Sequence, residues 1–277
     1  MKMTAEMKMG APYILPSVRY RQRATVGSLI ALLFVGSCIY MGVDPSLLFT
    51  EFHYVLDLAG SMSPPHFALL WMDKTIFFSV IETLSMAFLG TLIGGTLAVV
   101  FALLSAADTM SYRGVRGFVR TLLSVVRVIP SLVLILIFVV AVGLGPFAGM
   151  LTLVIGTVGA FGQLFTQILD TTEKAPAEAI HSVGASRWQV IRYAILPQVM
   201  PSMVANLFYA FDINVRAAIG LGIFGGGGVG FQLFLAMRVL HYRDAFALIC
   251  LTVLLIVLTE KVSDQLRRRL LGRGALR

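Results

Sequence analysis

Two groups of residues in this 277-residue sequence have types and spacings that could do chemistry. The first is the run Phe224-Gly-Gly-Gly-Gly-Val-Gly-Phe231, where Gly225, Gly227 and Gly230 satisfy G-x-G-x-x-G and Asp244 follows as an acid downstream. Such a loop cradles a dinucleotide pyrophosphate when a strand precedes it and a helix N-terminus lies beneath the phosphates. The second is Glu82, Arg127, Asp212 and Arg216, four charges set inside long apolar runs. Asp212 and Arg216 stand four apart, so on a helix they share a face and can pair. His53, His66, His181 and His241 are scattered without metal-ligand spacing. Neither a Gly-x-Ser-x-Gly nucleophile nor a close carboxylate pair occurs in the apolar runs, so hydrolysis has no support.

The elements that must position these residues are dictated by composition. The chain is 58% hydrophobic and 13% charged, against about 45–50% and about 25% in an ordinary soluble domain. So little charge cannot cover a soluble surface. Lys and Arg number 22 against 14 Asp and Glu, but they form no basic stripe interleaved with aromatics, so nucleic acid is not a partner. Cys38 and Cys250 lie inside apolar runs and read as packing residues. The 13 methionines read the same way.

A bilayer core about 30 Å thick needs about 20 mostly apolar residues in a helix. Six stretches qualify, at 24–43, 77–105, 122–144, 147–169, 199–224 and 245–262. The first is too long for a signal-peptide core and is expected to stay as a mature span. Basic residues flank the spans unevenly. Lys2, Lys8, Arg19, Arg21 and Arg23 precede the first, Arg113, Arg116 and Arg120 follow the second, and Lys261, Arg267, Arg268, Arg269, Arg273 and Arg277 follow the sixth. The positive-inside rule puts these segments, and hence both termini, in the cytoplasm. The acidic connection after the first span faces outward, with Asp44, Glu51, Asp57 and Asp73. Arg238 and Arg243 on an outer connection violate the rule mildly, which a re-entrant or interfacial helix would explain.

Between spans four and five lies a long polar connection, residues 170–198. Asp170 or Thr171 can cap a first helical piece over 175–183. Gly184, Ala185 and Ser186 then make a turn, and a second piece covers 187–195 before Pro197.

At this loop the sequence resembles the integral-membrane permease subunits of ABC importers, whose cytoplasmic motif runs E-A-A, three residues, G, nine residues, I-x-L-P. Glu178, Ala179, Gly184, Leu196 and Pro197 match it, while Ile180 and Ala194 replace an alanine and an isoleucine. The chain further resembles the phosphonate-type branch from about Thr75 onward, through residues 139–151, 196–201 and 211–230, including Asp212, Asn214 and Arg216 before the glycine run. The resemblance implies an all-α membrane protein of about six transmembrane helices with a helix–turn–helix coupling loop, the type I importer permease fold. Its expected organisation is a cytoplasmic segment 1–23, a first helix and outer connection 24–74, the transporter domain 75–263 and a basic tail 264–277.

It also implies a non-catalytic subunit that binds no cofactor of its own. ATP and Mg would be used by two cytoplasmic ATPase subunits, with a second permease copy, an extracytoplasmic binding protein and membrane lipid as the other partners. The implied cargo is a phosphonate, phosphite or similar phosphorus oxyanion. A permease for another small solute such as an amino acid, or an ion-coupled carrier using Glu82 and Asp212, stands as the alternative. Glu178 would accept a charge-assisted bond from the ATPase, Ala179 would allow close approach, and Gly184 would allow the bend.

Counting about 1.5 Å per residue from the span ends puts Glu82, Asp212 and Arg216 in the outer half and Arg127 in the cytoplasmic third. The Asp212–Arg216 pair serves either to hold helices together or to line the path of an oxyanion, and Arg127 before Pro130 has the same two readings. The preceding membrane span places the glycine run on the wrong side for cytoplasmic nucleotide. Gly225, Gly227, Gly228 and Gly230 are therefore expected to form a hinge and close-packed element near the outer gate, followed by a short helix at 231–240.

Overall fold

The computed structural model describes residues 16–42, 44, 46 and 50–271. The basic positions Lys2, Lys8, Arg273 and Arg277 lie outside them. The chain divides into two compact units, 1–58 and 59–277. The first contains α1 (Pro16–Tyr40), whose stretch Arg23–Tyr40 is apolar and long enough to cross a membrane. Helix α2 (Phe52–Met62) starts in the first unit and ends in the second.

The second unit begins with the short α3 (Leu69–Met72) and the long α4 (Lys74–Ser105). Asp73 starts α4 by accepting the Thr75 amide at 2.8 Å, an N-cap of the expected chemistry. Next come α5 (Arg113–Val128), α6 (Ser131–Val142) and α7 (Pro146–Asp170). The polar connection folds as α8 (Ala175–Ser182) and α9 (Arg187–Val190), and a π turn, Ile191–Ile195, leads into α10 (Leu196–Leu221). A second π turn, Gly222–Gly226, precedes α11 (Gly228–Arg238) and the final α12 (Tyr242–Leu271).

Small residues bring the central helices together, as close packing requires where lipid supplies no hydrophobic drive between them. A Cβ on Gly90 would come 2.6 Å from Leu153, and one on Gly94 would come 2.8 Å from both Thr157 and the Val154 carbonyl, so α4 and α7 touch nearly backbone to backbone. Below that seam Phe161, Phe165 and Leu169 pack with Ala98, Ala102, Val199 and Met203. Above it Met86, Ile135, Ala148 and Leu153 pack with Ala218 and Leu221. Large apolar side chains such as Phe77, Phe78, Leu92, Val253 and Leu254 point outward.

Three expectations need correction. The stretch 122–144 is not one straight span: α5 and α6 meet at 89° across Ile129–Pro130. Ile129 is extended (φ −69°, ψ 119°), as the residue before a proline must be, and the helix cannot pass through it. Among the described residues five helices are long and apolar enough to cross a membrane, or six if the bent pair counts as one span. Pro197, in contrast, breaks nothing: the helical run continues from Arg187 to Gly226. The wider π turn just before it absorbs a ring that has no amide to donate, and Gln198 Nε2 donates to the Ala194 carbonyl at 2.8 Å. Finally, neither Asp170 nor Thr171 caps α8. Its N-cap is Lys174, without a side-chain bond, since Asp170 is the last residue of α7 and Thr171 its C-cap.

Candidate functional site

The loop formed by α8 and α9 presents its functional candidates to solvent. Glu178 lies in the first turn of α8, where the helix dipole favours an acid, and both it and Ala179 are exposed. Gly184 closes the helix with φ +86° and donates its amide to the His181 carbonyl at 3.0 Å. A side chain there would meet no atom within 4 Å, so the conformation alone calls for glycine. Ser186 and Gln189 then form a reciprocal capping box that starts α9. Val183 is 82% and Trp188 68% exposed. Leu196 packs on the core under the loop, and Pro197 is exposed. Asp108, Glu173, Glu178, His181 and Arg187 are among the residues lining a cavity of about 250 Å³ between the loop and the bundle.

The base of this loop is fastened by a contact the sequence did not reveal. Asp170 accepts the Ala107 amide at 2.8 Å and the Arg120 guanidinium at 2.7 Å. Arg120 Nε donates in turn to the Ser105 carbonyl at 2.8 Å, so the middle of α5 joins the ends of α4 and α7. Arg120 and Asp170 are 50 residues apart, a separation no local pattern can bridge.

At mid-height Asn214, buried, donates both amide hydrogens, to Thr91 Oγ1 at 2.8 Å and Thr157 Oγ1 at 2.9 Å, and so pins α10 to α4 and α7. Asp212 and Arg216 pair at 2.9 Å as their spacing predicts, but Arg216 also reaches Glu260 of α12 at 3.2 Å. Asp212 is buried and its Oδ1 has no partner. These groups border a cavity of about 260 Å³ completed by Ser263, Asp264 and Arg267, near the C-terminal end of α12. The helix of Asp212 and Arg216 runs from Arg187 to Gly226, and both stand in its second half, the half nearer the glycine run.

Arg127 packs against α7. Its backbone lies against Gly159, where an added Cβ would be 2.9 Å from the Arg127 nitrogen. Its guanidinium reaches one turn further toward the C-terminal end of α7 than Gly159. It donates to Gln163 Oε1 at 2.7 Å, and Gln163 Nε2 donates to Ser124 Oγ at 2.8 Å.

The glycine run resolves into a sharp reversal. Gly225, Gly227 and Gly228 have φ of +95°, +76° and +70°, and the Gly225 carbonyl accepts the Gly145 amide at 2.8 Å. A side chain on Gly227 would come 2.9 Å from Pro146, and one on Gly230 would overlap the Ile219 carbonyl. The close approach is thus to the chain's own helices. Helix α11 starts at Gly228, three residues earlier than expected, and its N-terminus is occupied: Glu82 Oε2 accepts the Gly228 amide at 3.0 Å and Thr83 Oγ1 accepts the Val229 amide at 2.9 Å. The anion-binding geometry that G-x-G-x-x-G advertises is present, filled by a carboxylate of α4. Asp244, the apparent ribose acid, instead bonds His66 at 2.9 Å and His241 at 3.4 Å.

Residues 94–272 match the family described as the binding-protein-dependent transport system inner membrane component. A phosphate-import permease of Mycolicibacterium smegmatis is 34% identical over 242 residues, covering 86% of this chain and 45% of that protein, so the chain spans just under half of that relative. A phosphite transport system permease of Stutzerimonas stutzeri is 32% identical over 250 residues, 90% of each. Among solved structures, an inward-facing methionine ABC transporter superimposes with a TM-score of 0.62 at 19% identity, covering 72% of this chain and 99% of that one. A bacterial alginate ABC transporter, in complex with its pentasaccharide-bound periplasmic protein, superimposes with a TM-score of 0.65 at 15% identity, over 93% and 100%. These two show the fold.

Proposed function

Because the chain belongs to the inner membrane components of binding-protein-dependent transport systems, we propose that it forms the translocation path of an ATP-driven importer for phosphonate, phosphite or a related phosphorus oxyanion. The observation that carries the reading is the match to a phosphite permease along nine-tenths of both chains. The loop geometry supports it: Glu178, Ala179 and the Gly184 turn stand free at one end of the bundle beside exposed Val183 and Trp188.

On this reading α8 is the coupling helix and lies in the cytoplasm with both termini. Two copies of the chain face each other, two ATPase subunits bind ATP and Mg beneath them, and a binding protein delivers the cargo from outside. Gly225, Gly227, Gly228 and Gly230 are the hinge at the far end, where three of them hold backbone conformations that few other residues adopt. The Asp212–Arg216–Glu260 cluster and Asn214 hold α10 against its neighbours while access alternates.

The test is co-purification of the ATPase subunits with the detergent-extracted chain. Wild type retains them, Glu178→Lys loses them, and ATP hydrolysis by the intact complex rises when oxyanion-loaded binding protein is added. Retention undiminished in Glu178→Lys contradicts the coupling assignment, and hydrolysis indifferent to every phosphorus oxyanion contradicts the cargo.

A further inference from the structure

We propose that Arg127 is the station at which the oxyanion is held inside the bundle, an inference that rests on the importer reading above. Four observations converge on it.

The first is depth. The Arg127 guanidinium bonds Gln163, seven residues before the C-terminal end of α7 and so about 10 Å inside it at 1.5 Å per residue. The second is exposure at a break: the residue is exposed in the last turn of α5, just before the chain bends by 89°. The third is the lack of a countercharge. Arg120 has Asp170, and Arg216 has Asp212 and Glu260. Among the described residues no carboxylate lies within ion-pair distance of Arg127, whose hydrogen bond goes to the neutral carbonyl of Gln163. The fourth is orientation. Ser124 accepts from the Gln163 amide, which leaves the Gln163 oxygen directed at the guanidinium and fixes where it sits.

An exposed guanidinium at this depth does not face hydrocarbon, so it faces a water-filled path or another protein chain. The acids of the span interiors are engaged within their own chain: Glu82 by the Gly228 amide, Asp212 and Glu260 by Arg216. A passing oxyanion does fit. The planar fork of a guanidinium matches two oxygens of a tetrahedral phosphorus centre, and one bond to Gln163 leaves donors free for it. A single arginine held by a neutral partner also binds loosely enough to release, as conduction demands. Arg216, shared between two carboxylates, has no such freedom.

The experiment uses the complete transporter in proteoliposomes. In a transporter that carries phosphite, Arg127→Gln lowers uptake at least tenfold while its ATPase subunits still co-purify, and Arg127→Lys restores uptake to within about threefold of wild type. A cysteine introduced by Arg127→Cys, with Cys38→Ala and Cys250→Ala, reacts with a membrane-impermeant, sulfonate-bearing thiosulfonate. Wild-type uptake by Arg127→Gln overturns the assignment and leaves the importer reading standing. So does a cysteine at that position that resists the reagent, which places it in lipid or against protein. If the unmutated complex carries no phosphite, phosphate or methylphosphonate, the importer reading itself fails and the station falls with it. Should Arg127→Gln not assemble, the labelling decides.

Discussion

Replacing Glu82 tests whether the glycine run is a reversal locked by the chain's own carboxylate. Glu82 Oε2 sits 3.0 Å from the Gly228 amide at the first turn of α11. A hydrogen bond to a charged group contributes about 1.5–3 kcal/mol, and an anion at a partly buried helix N-terminus up to about 2 kcal/mol. These overlap, since the amide belongs to the dipole, and they are not summed. Glu82→Ala is therefore expected to cost about 2–3 kcal/mol, and Glu82→Gln, which keeps an acceptor but loses the charge, about 1–2 kcal/mol. Thr83→Val, which removes the neutral bond to Val229, is expected to cost about 1 kcal/mol. Reversible unfolding in mixed micelles, followed by circular dichroism as dodecyl sulfate is raised, reads the totals. Hydrogen exchange at the Gly228 and Val229 amides localises them. If Glu82→Ala leaves both the unfolding curve and these exchange rates as in wild type, the carboxylate does not hold the turn and the reasoning is wrong.

Three more outcomes follow from the same geometry. Asn214→Leu deletes bonds to Thr91 and Thr157, and with interhelical bonds in membrane proteins averaging about 0.6 and reaching about 1.7 kcal/mol, the same unfolding assay should show a loss of about 1–3 kcal/mol; no loss would mean the three side chains do not meet. Gly184→Ala forces an L side chain to φ +86° in open space, so loop order should fall by about 1–2 kcal/mol, seen as faster exchange over 175–190 with the bundle unchanged. Asp73, exposed, is held below the usual carboxylate range by its side-chain hydrogen bond to Thr75 and then by the bond from the Thr75 amide. A folded pKa below the unfolded one stabilises above the unfolded value and is lost as pH falls through the folded value. Protection of the Thr75 amide, corrected for intrinsic exchange, should thus be full above the ordinary aspartate pKa of about 3.9 and collapse on further acidification. Asp73→Asn should abolish that dependence.

Where the sequence could be read and where it could not follows from the range of the interactions. Apolar runs, the Gly184 turn and the Asp212–Arg216 pair are local patterns, and each is found in the structure. Pro130 and Pro197 show the limit of local rules: one proline bends the chain by 89°, while a π turn carries the helix through the other. The difference depends on what packs around each residue. Contacts across the bundle had no local signal at all. Glu82 to Gly228 spans 146 residues and Asn214 to Thr91 spans 123, and only the folded backbone brings them together.

The central claim is that this chain carries a phosphorus oxyanion when coupled through its α8 loop to an ATPase. The most direct measurement is uptake of radiolabelled phosphite or phosphate into proteoliposomes holding the permease, its ATPase subunits and its loaded binding protein, with ATP and Mg supplied on the loop side. The account predicts accumulation that needs ATP and is lost in Glu178→Lys. Accumulation by the permease alone, with no ATPase subunit present, would contradict it.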